Sequence, residues 1–203
     1  QGEFNFQSSE PHLETLTIIG HNMKDSGIGF APIKIDSGNG VHVISGVSGQ
    51  LLKVDSQLNR LGEVSQPFPA LITSSTIVGE KWIGVWIERD LRQARMAAFE
   101  LNGVWGDGDT KAELRNNRLD SVLHPSSSIW SQILDSEPTA LSNVDDSICF
   151  STINRGIYRV DEESNEIWRA EIPDWKEISK INSLDEIIEF INTEEGTVLF
   201  SKA

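Results

Sequence analysis

The chain nearly repeats one stretch of its own sequence, and this repeat constrains the fold more than any other feature. Residues 147–172 align without a gap on residues 41–64. The register pairs Ser151 with Ser45, Ile157 with Leu51, Asp161 with Asp55, Asn165 with Asn59 and Ile167 with Leu61. Both copies show a strand, a short turn, a strand, a turn rich in Asp and Asn, and a further strand. The repeat therefore predicts an all-β chain built from one recurring sheet element.

Strand-like units also lie between and after the two copies. One spans residues 70–105, where Asn102-Gly103 is typical of a type I′ hairpin. A terminal half-unit spans residues 186–202. Residues 107–137 break the rhythm and are predicted to form an irregular or helical insertion, with serine-capped helical turns in residues 126–134.

Length and charge limit the class of protein. We expect residues 1–12 to be a disordered or tag-like terminus, with a start that was processed or trimmed, and residues 13–203 to form a single domain. The formal net charge of −14 repels nucleic-acid phosphates and anionic membrane surfaces. No apolar run approaches the ~20 residues of a membrane-spanning helix. A soluble, cytoplasmic protein is the favoured expectation, although the sequence leaves the compartment open.

Cys149 is the single cysteine of the chain. It lies between Ile148 and Phe150 on a predicted strand, so we expect a buried and unreactive thiol. An intramolecular disulfide is impossible.

The third unit resembles the PQQ-like (quinoprotein-type) β-propeller repeat, within the wider group of WD-like propeller repeats. Gly156–Asp161 is similar to the third strand of that repeat, and residues 164–168 are similar to its turn and closing strand. Asn165 stands where the family usually has Gly. The first unit matches more loosely, with Leu61-Gly62 where the family tryptophan falls, and the second matches in its strand spacing and Trp105.

The resemblance implies a propeller-like array of four-stranded antiparallel blades. Three arrangements stay open: a small closed ring in which residues 13–19 supply the missing outer strand, an incomplete ring completed by another chain or by residues outside the sequence, and a two-layer β fold. The repeat class does not imply quinone binding. No cofactor-binding residue of the enzymes can be carried over, and we expect no cofactor.

Metal binding has weak support from the sequence. Asp107, Asp109 and Glu113 resemble the start of a calcium loop, but Lys111 stands where a further oxygen ligand belongs. An ordinary solvated loop is therefore the expectation. The histidines show no zinc-ligand spacing.

Two groups of residues are candidates for contact with a partner. Trp130 and Trp175 lie in irregular surroundings, and aromatic residues concentrate at interface hot spots. Glu88, Arg89 and Arg92 belong to a mixed-charge hairpin tip. The remaining tryptophans that we consider are expected to fill the space between blades: Trp82, Trp86, Trp105 and Trp168.

The leading hypothesis is a non-enzymatic scaffold that binds a protein or peptide through loops that connect the blades. No catalytic residue is predicted. One alternative is a carbohydrate-active or other ligand-binding propeller, with Asp55, Asp161 and Glu88 collected in a cleft lined by tryptophan. The other alternative is a propeller fragment that another chain completes.

Overall fold

The computed structural model describes residues 27–90, 92–116, 124–153, 155–172, 187–193 and 196–201. Within them the chain forms thirteen strands and one short helix, α1 (Lys111–Asn116). The strands are β1 (Pro32–Gly38), β2 (Val41–Gly46), β3 (Leu51–Asp55), β4 (Leu71–Val78), β5 (Lys81–Glu88), β6 (Gln93–Glu100), β7 (Trp130–Leu134), β8 (Pro138–Val144), β9 (Ser147–Thr152), β10 (Gly156–Asp161), β11 (Glu166–Ala170), β12 (Ile187–Thr193) and β13 (Gly196–Ser201). In this part of the chain no helix is long and apolar enough to cross a membrane.

The strands form four antiparallel sheets that follow one another along the chain. Sheet 1 has the order β1-β2-β3, sheet 2 β4-β5-β6-β7, sheet 3 β8-β9-β10-β11 and sheet 4 β12-β13. Isolated bridges from Leu51 to Ser65 and from Val54 to Arg60 give sheet 1 the start of a fourth strand. Each sheet is a meander of sequential strands, and the predicted all-β fold is confirmed.

The first strand of each sheet lies beside the first strand of the next. β1 contacts β4, β4 contacts β8, and β8 contacts β12. Because every sheet then extends away from these inner strands, the sheets are arranged as blades of a β-propeller-like array. No closed ring is formed among the described residues. Residues 13–19, which could close such a ring, lie outside the described residues.

Large aromatic side chains fill the space between sheets 1 and 2. Trp82 and Trp86 are fully buried, with ring centroids 5.7 Å apart. They lie four residues apart on β5 and therefore point to the same face. Gly84 lies between them, and a Cβ at this position would come within 2.4 Å of the Trp82 ring. The prediction that these two tryptophans form inter-sheet core is confirmed.

A polar network fixes the position of sheet 1 against sheet 2. The Trp82 indole N–H donates to Asp36 Oδ2 at 2.8 Å, and Lys34 Nζ lies 2.7 Å from Asp36 Oδ1. Lys34 also donates to the Ser75 carbonyl. The Asp36 carboxylate is buried, and both of its oxygens have partners, which is the condition under which a buried charge is tolerated.

The two copies of the repeat form the same turn. Asp55 Oδ1 accepts from the Gln57 and Asn59 backbone N–H groups at 2.9 and 2.8 Å, and Asp55 Oδ2 accepts from Asn59 Nδ2 at 2.9 Å. Asp161 makes the matching bonds to Glu163 and Asn165 at 3.0, 2.7 and 2.9 Å. The repeat register predicted from sequence is therefore confirmed at the level of single hydrogen bonds.

The backbone of the two turns also agrees. Leu58 and Ser164, each three residues after the aspartate, adopt left-handed φ values of 65° and 71°. The asparagine that replaces the family glycine supplies a side-chain donor to the aspartate instead of conformational freedom.

Two predictions for the middle of the chain are wrong. Residues 130–134 form β7, the outer strand of sheet 2, and not helical turns, because pairing with β6 satisfies their backbone and outweighs serine capping. Asn102-Gly103 is not a type I′ hairpin: β6 ends at Glu100, and Gly103 has no positive φ. That turn type occurs at Asn39-Gly40, which joins β1 to β2 with φ values of 50° and 75°.

The other two tryptophans assigned to the core differ in burial. Trp105 is partly buried and packs on Trp82 and Phe99, as expected. Trp168 is 37% exposed on β11 and does not belong to the buried core, so the prediction for this residue is wrong. Sheet 4 shows two strands in the described residues, and these do not cover Trp168.

Acid should weaken the repeated turns. Hydrogen bonds from Asn59 and Asn165 to Asp55 and Asp161 lower the pKa of both aspartates below their ordinary value in the folded chain. A carboxyl group with a lowered pKa stabilises the fold above its unfolded-state pKa, and this contribution is lost as the pH falls through the folded-state pKa. Asp161→Asn should therefore flatten the pH dependence of the free energy of unfolding, measured by urea denaturation between pH 7 and pH 3.

Asp146→Asn is the matched control because it removes an exposed carboxylate from another turn of sheet 3. It should leave the acid dependence close to that of the wild type. Equal flattening by both variants would show that general charge, and not the turn, sets the slope.

Cys149 should be unreactive in the folded protein. The thiol is buried, and burial raises its pKa to about 11. The thiolate is the reactive species, so this shift alone lowers the reactive fraction roughly a hundredfold relative to an ordinary thiol. Labelling with a thiol reagent at pH 8 should be slow in buffer and fast in urea. Fast labelling of the folded chain would contradict the predicted burial.

Candidate functional site

The largest concave surface in the described part of the chain is a groove between sheets 1 and 2 at one end of the strands. Its volume is about 650 Å³. It is lined by residues 47–48, 66, 69–71, 73, 87–90 and 107–111. These residues come from the β2–β3 hairpin tip, the connection from sheet 1 to sheet 2, the β5–β6 tip and the long β6–β7 connection. Connecting segments of two blades thus converge on one site.

Two ion pairs hold the β6–β7 connection against the β5–β6 tip. Glu88 is 4% exposed, and its Oε2 lies 3.2 Å from Lys111 Nζ at the start of α1. Arg115, near the end of α1, lies 3.1 Å from Asp90 in an exposed pair. The Glu88 pair carries most of the constraint because exposed pairs contribute little, whereas leaving Glu88 buried without a partner would be costly.

A capping box forms the first turn of α1. The Thr110 backbone N–H and hydroxyl both donate to Glu113 Oε2 at 2.7 Å, and the Glu113 N–H donates to Thr110 Oγ1 at 3.3 Å. These hydrogen bonds, that from the Thr110 backbone above all, lower the pKa of Glu113. The helix therefore begins at a fixed residue beside the groove.

The floor of the groove is a close backbone contact. The Gln66 N–H donates to Asp107 Oδ1 at 2.7 Å, and the Gly108 N–H donates to the Gln66 carbonyl at 3.0 Å. A Cβ on Gly108 would lie 2.0 Å from the Pro67 carbonyl oxygen. Glycine is therefore required here by the approach of two backbones.

A smaller hollow of about 250 Å³ lies on the other side of the β5–β6 tip, next to the connection from sheet 2 to sheet 3. Ile87, Glu88 and Arg89 line both hollows, so the tip forms the wall between them. Arg89 also reaches Glu137 at 3.2 Å across the smaller hollow.

The structure divides the residues predicted to contact a partner. Glu88 and Arg89 line the groove, and Arg92 lines the smaller hollow. Trp130 lines neither of them: its indole donates to the Glu162 carbonyl at 2.8 Å, between sheets 2 and 3. Trp175 lies outside the described residues. Arg95, which belongs to the same charged run in sequence, is buried with its guanidinium over the Phe68 ring.

The carboxylates of the other two hypotheses have separate positions. Asp55 and Asp161 each hold their own turn and do not line the groove that contains Glu88. Asp107 and Glu113 accept the structural hydrogen bonds given above, and Asp109 lines the groove. In the part of the chain that the structure describes, no three His, Cys, Asp or Glu side chains are grouped closely enough to hold a metal ion.

Sequence reasoning missed the apolar part of the groove. Val47 and Leu71 are exposed on its wall, beside the carboxylates of Asp107 and Asp109. Val47 in a Gly-Val-Ser-Gly turn is the one sequence signal, since an apolar residue in a hairpin tip has no core to join. Leu71 has no such signal, because it begins an ordinary strand.

No family model and no curated protein sequence matches the chain. Several solved structures are similar at low identity. BamB from Moraxella catarrhalis, a PQQ-like propeller, is 14% identical with a TM-score of 0.46, over 68% of this chain and 36% of BamB. The computationally designed Ika4 protein is 8% identical with a TM-score of 0.47, over 86% of this chain and 92% of Ika4.

BBS1N, solved in complex with ARL6DN, is 9% identical with a TM-score of 0.50, over 83% of this chain and 46% of BBS1N. The chain thus spans less than half of BamB and of BBS1N. The likeness to BBS1N supports a propeller-like fold. At this identity the likeness carries no statement about function.

Filling the space at Gly108 should disturb the groove. Gly108→Ala should lower the free energy of unfolding by about 1–3 kcal/mol, because the new methyl group forces two backbones apart. Gly106→Ala is the matched control in the same connection, since its Cβ would meet its nearest atom at an ordinary 3.5 Å. Urea denaturation of the two variants measures the difference, and equal stabilities would contradict the close contact.

Proposed function

We propose that the chain is a non-enzymatic binding module, and that the groove between sheets 1 and 2 takes an extended segment of a protein partner. The observation that carries the proposal is the convergence of four connecting segments on one groove of about 650 Å³. Rigid sheets that hold loops at one end are the usual arrangement for recognition. The likeness in fold to BBS1N, described in complex with ARL6DN, is consistent with this class of function.

The lining favours a partner segment with both apolar and basic side chains. Four carboxylates line the groove, from Glu88, Asp90, Asp107 and Asp109, against the two cations Arg89 and Lys111. The chain as a whole carries −14, so its field attracts basic segments. Val47 and Leu71 supply apolar surface on the wall, where an apolar side chain of the partner would be desolvated.

A peptide-display screen against the folded chain tests the proposal. Peptides enriched on the wild type should bind less well to Leu71→Ser and to Asp109→Lys, by about tenfold each, which corresponds to ~1.4 kcal/mol. Affinity is measured by fluorescence anisotropy of the labelled peptide. Binding should also weaken as salt is raised, because part of the attraction is between charges.

Ile191→Ser is the matched control for Leu71→Ser. Both residues lie on strands and are 43% exposed, but Ile191 is on sheet 4 and outside the groove. The control variant should bind the peptides as the wild type does. Peptides that bind all three variants equally, or no enriched peptide at all, would rule out the groove as the binding site.

A further inference from the structure

Neighbouring sheets are joined by the same kind of hydrogen bond at the same place. From sheet 1, Lys53 Nζ donates to the Leu101 carbonyl at 2.7 Å. From sheet 2, Trp130 Nε1 donates to the Glu162 carbonyl at 2.8 Å. Leu101 and Glu162 are each the residue directly after the third strand of their sheet, because β6 ends at Glu100 and β10 at Asp161. Each of these sheets thus offers this carbonyl to a donor on the sheet before it.

Trp168 has the same position in sheet 3 that Trp130 has in sheet 2. Trp130 is paired with Ala98, two residues before the end of β6, and Trp168 is paired with Arg159, two residues before the end of β10. The two tryptophans are therefore equivalent in register, although one lies before and the other after a different number of loop residues.

Trp168 lies on the side of sheet 3 that faces sheet 4. Residues directly opposite each other on paired strands point to the same face. Trp168 is opposite Arg159, which is opposite Cys149. Cys149 packs in one buried cluster with Ile187 and Phe190 of sheet 4.

The carbonyl that Trp168 would meet belongs to a part of sheet 4 that is not seen. In the described residues sheet 4 consists of its first two strands, β12 and β13. Trp168 is 37% exposed, and Val198 and Phe200 on β13 are exposed as well. The outer edge of β13 and the Trp168 indole therefore continue, without a partner among the described residues, the interface that joins sheets 1 to 2 and 2 to 3.

We propose that this surface binds a β-hairpin of another protein, which supplies the third and fourth strands of sheet 4. The first strand of the hairpin pairs antiparallel with β13. The carbonyl directly after that strand accepts a hydrogen bond from Trp168 Nε1. Recognition is thus by strand addition to an open sheet edge, and alternate apolar side chains of the hairpin face sheet 3.

Sequence and charge argue against the other occupants. Completing sheet 4 takes two strands, and residues 1–26 contain one strand-like run, at 13–19. A second copy of the chain also carries −14 and would be repelled. Its strands in sheets 1 to 3 are already paired within their own sheets. A hairpin from a different protein meets neither obstacle.

The probe is a synthetic peptide of residues 51–66, which contains β3, the Asp55–Asn59 turn and the bridging residue Ser65. It has the sequence of a third strand and turn, and it lacks tryptophan, so every change in tryptophan emission comes from the full chain. Adding it should slow hydrogen exchange of β13 backbone amides and shift the emission to the blue. A peptide of the same composition in scrambled order is the control probe.

Trp168→Phe keeps the ring area and removes the donor, so it should weaken peptide binding by about tenfold, the effect of one lost hydrogen bond. Ile167→Ala is the matched control, because the neighbouring residue on a strand points to the opposite face and should leave binding unchanged. Trp168 is partly exposed, so both variants should unfold at the wild-type temperature, which a melting curve checks.

Three results would overturn the proposal. The first is the absence of β13 protection, or equal affinity of the wild type and Trp168→Phe. The second is a dimer in sedimentation with β13 protected in the absence of peptide, which would assign the edge to a second copy. The third is faster exchange of β13 after deletion of residues 1–26, which would assign it to the chain's own N-terminal segment.

Discussion

The packing of sheet 2 on sheet 1 around Trp82 is the contact on which the rest of the described structure depends. The indole fills the space between the sheets, and its N–H is bonded to a buried carboxylate on the first strand of the chain's first sheet. One side chain thus combines a large apolar contact with a directional bond. Because the groove lies between these two sheets, its width follows from the same contact. A change in the angle between the sheets would separate the β2–β3 tip from the β5–β6 tip.

The architecture was largely predictable because it follows from local patterns. The equivalence of Asp55 with Asp161 and of Asn59 with Asn165 is written in the sequence, and a turn of four to five residues is decided by its own side chains. The helical prediction for residues 126–134 failed for the opposite reason. Serines favour a cap in isolation, but the backbone of β7 is satisfied by β6, which ends thirty residues earlier, and a local pattern does not contain that partner.

The site was predictable in part. The mixed-charge tip with Glu88 and Arg89 does line the groove, since hairpin tips lie at the ends of sheets. The burial of Arg95, only a few residues along the same run, was not predictable from charge. Its position directly opposite Trp86 places it in the core face, and that register becomes visible only when β5 and β6 are paired. Leu71 joins the site through the angle between two sheets, which no sequence window encodes.

The β6–β7 connection leaves one end of sheet 2 at Glu100 and reaches Glu88 at the other end through Lys111. It then returns to the strand pair at Trp130, close to where it started. Its two anchors on the sheet are thus neighbours, and the entropy of closing such a loop grows slowly with its length, by about 0.6 kcal/mol for each doubling. The segment that shapes one wall of the groove can consequently be lengthened, shortened or exchanged while the strands keep their register. Evolution or engineering can retarget this wall without rebuilding the blades beneath it.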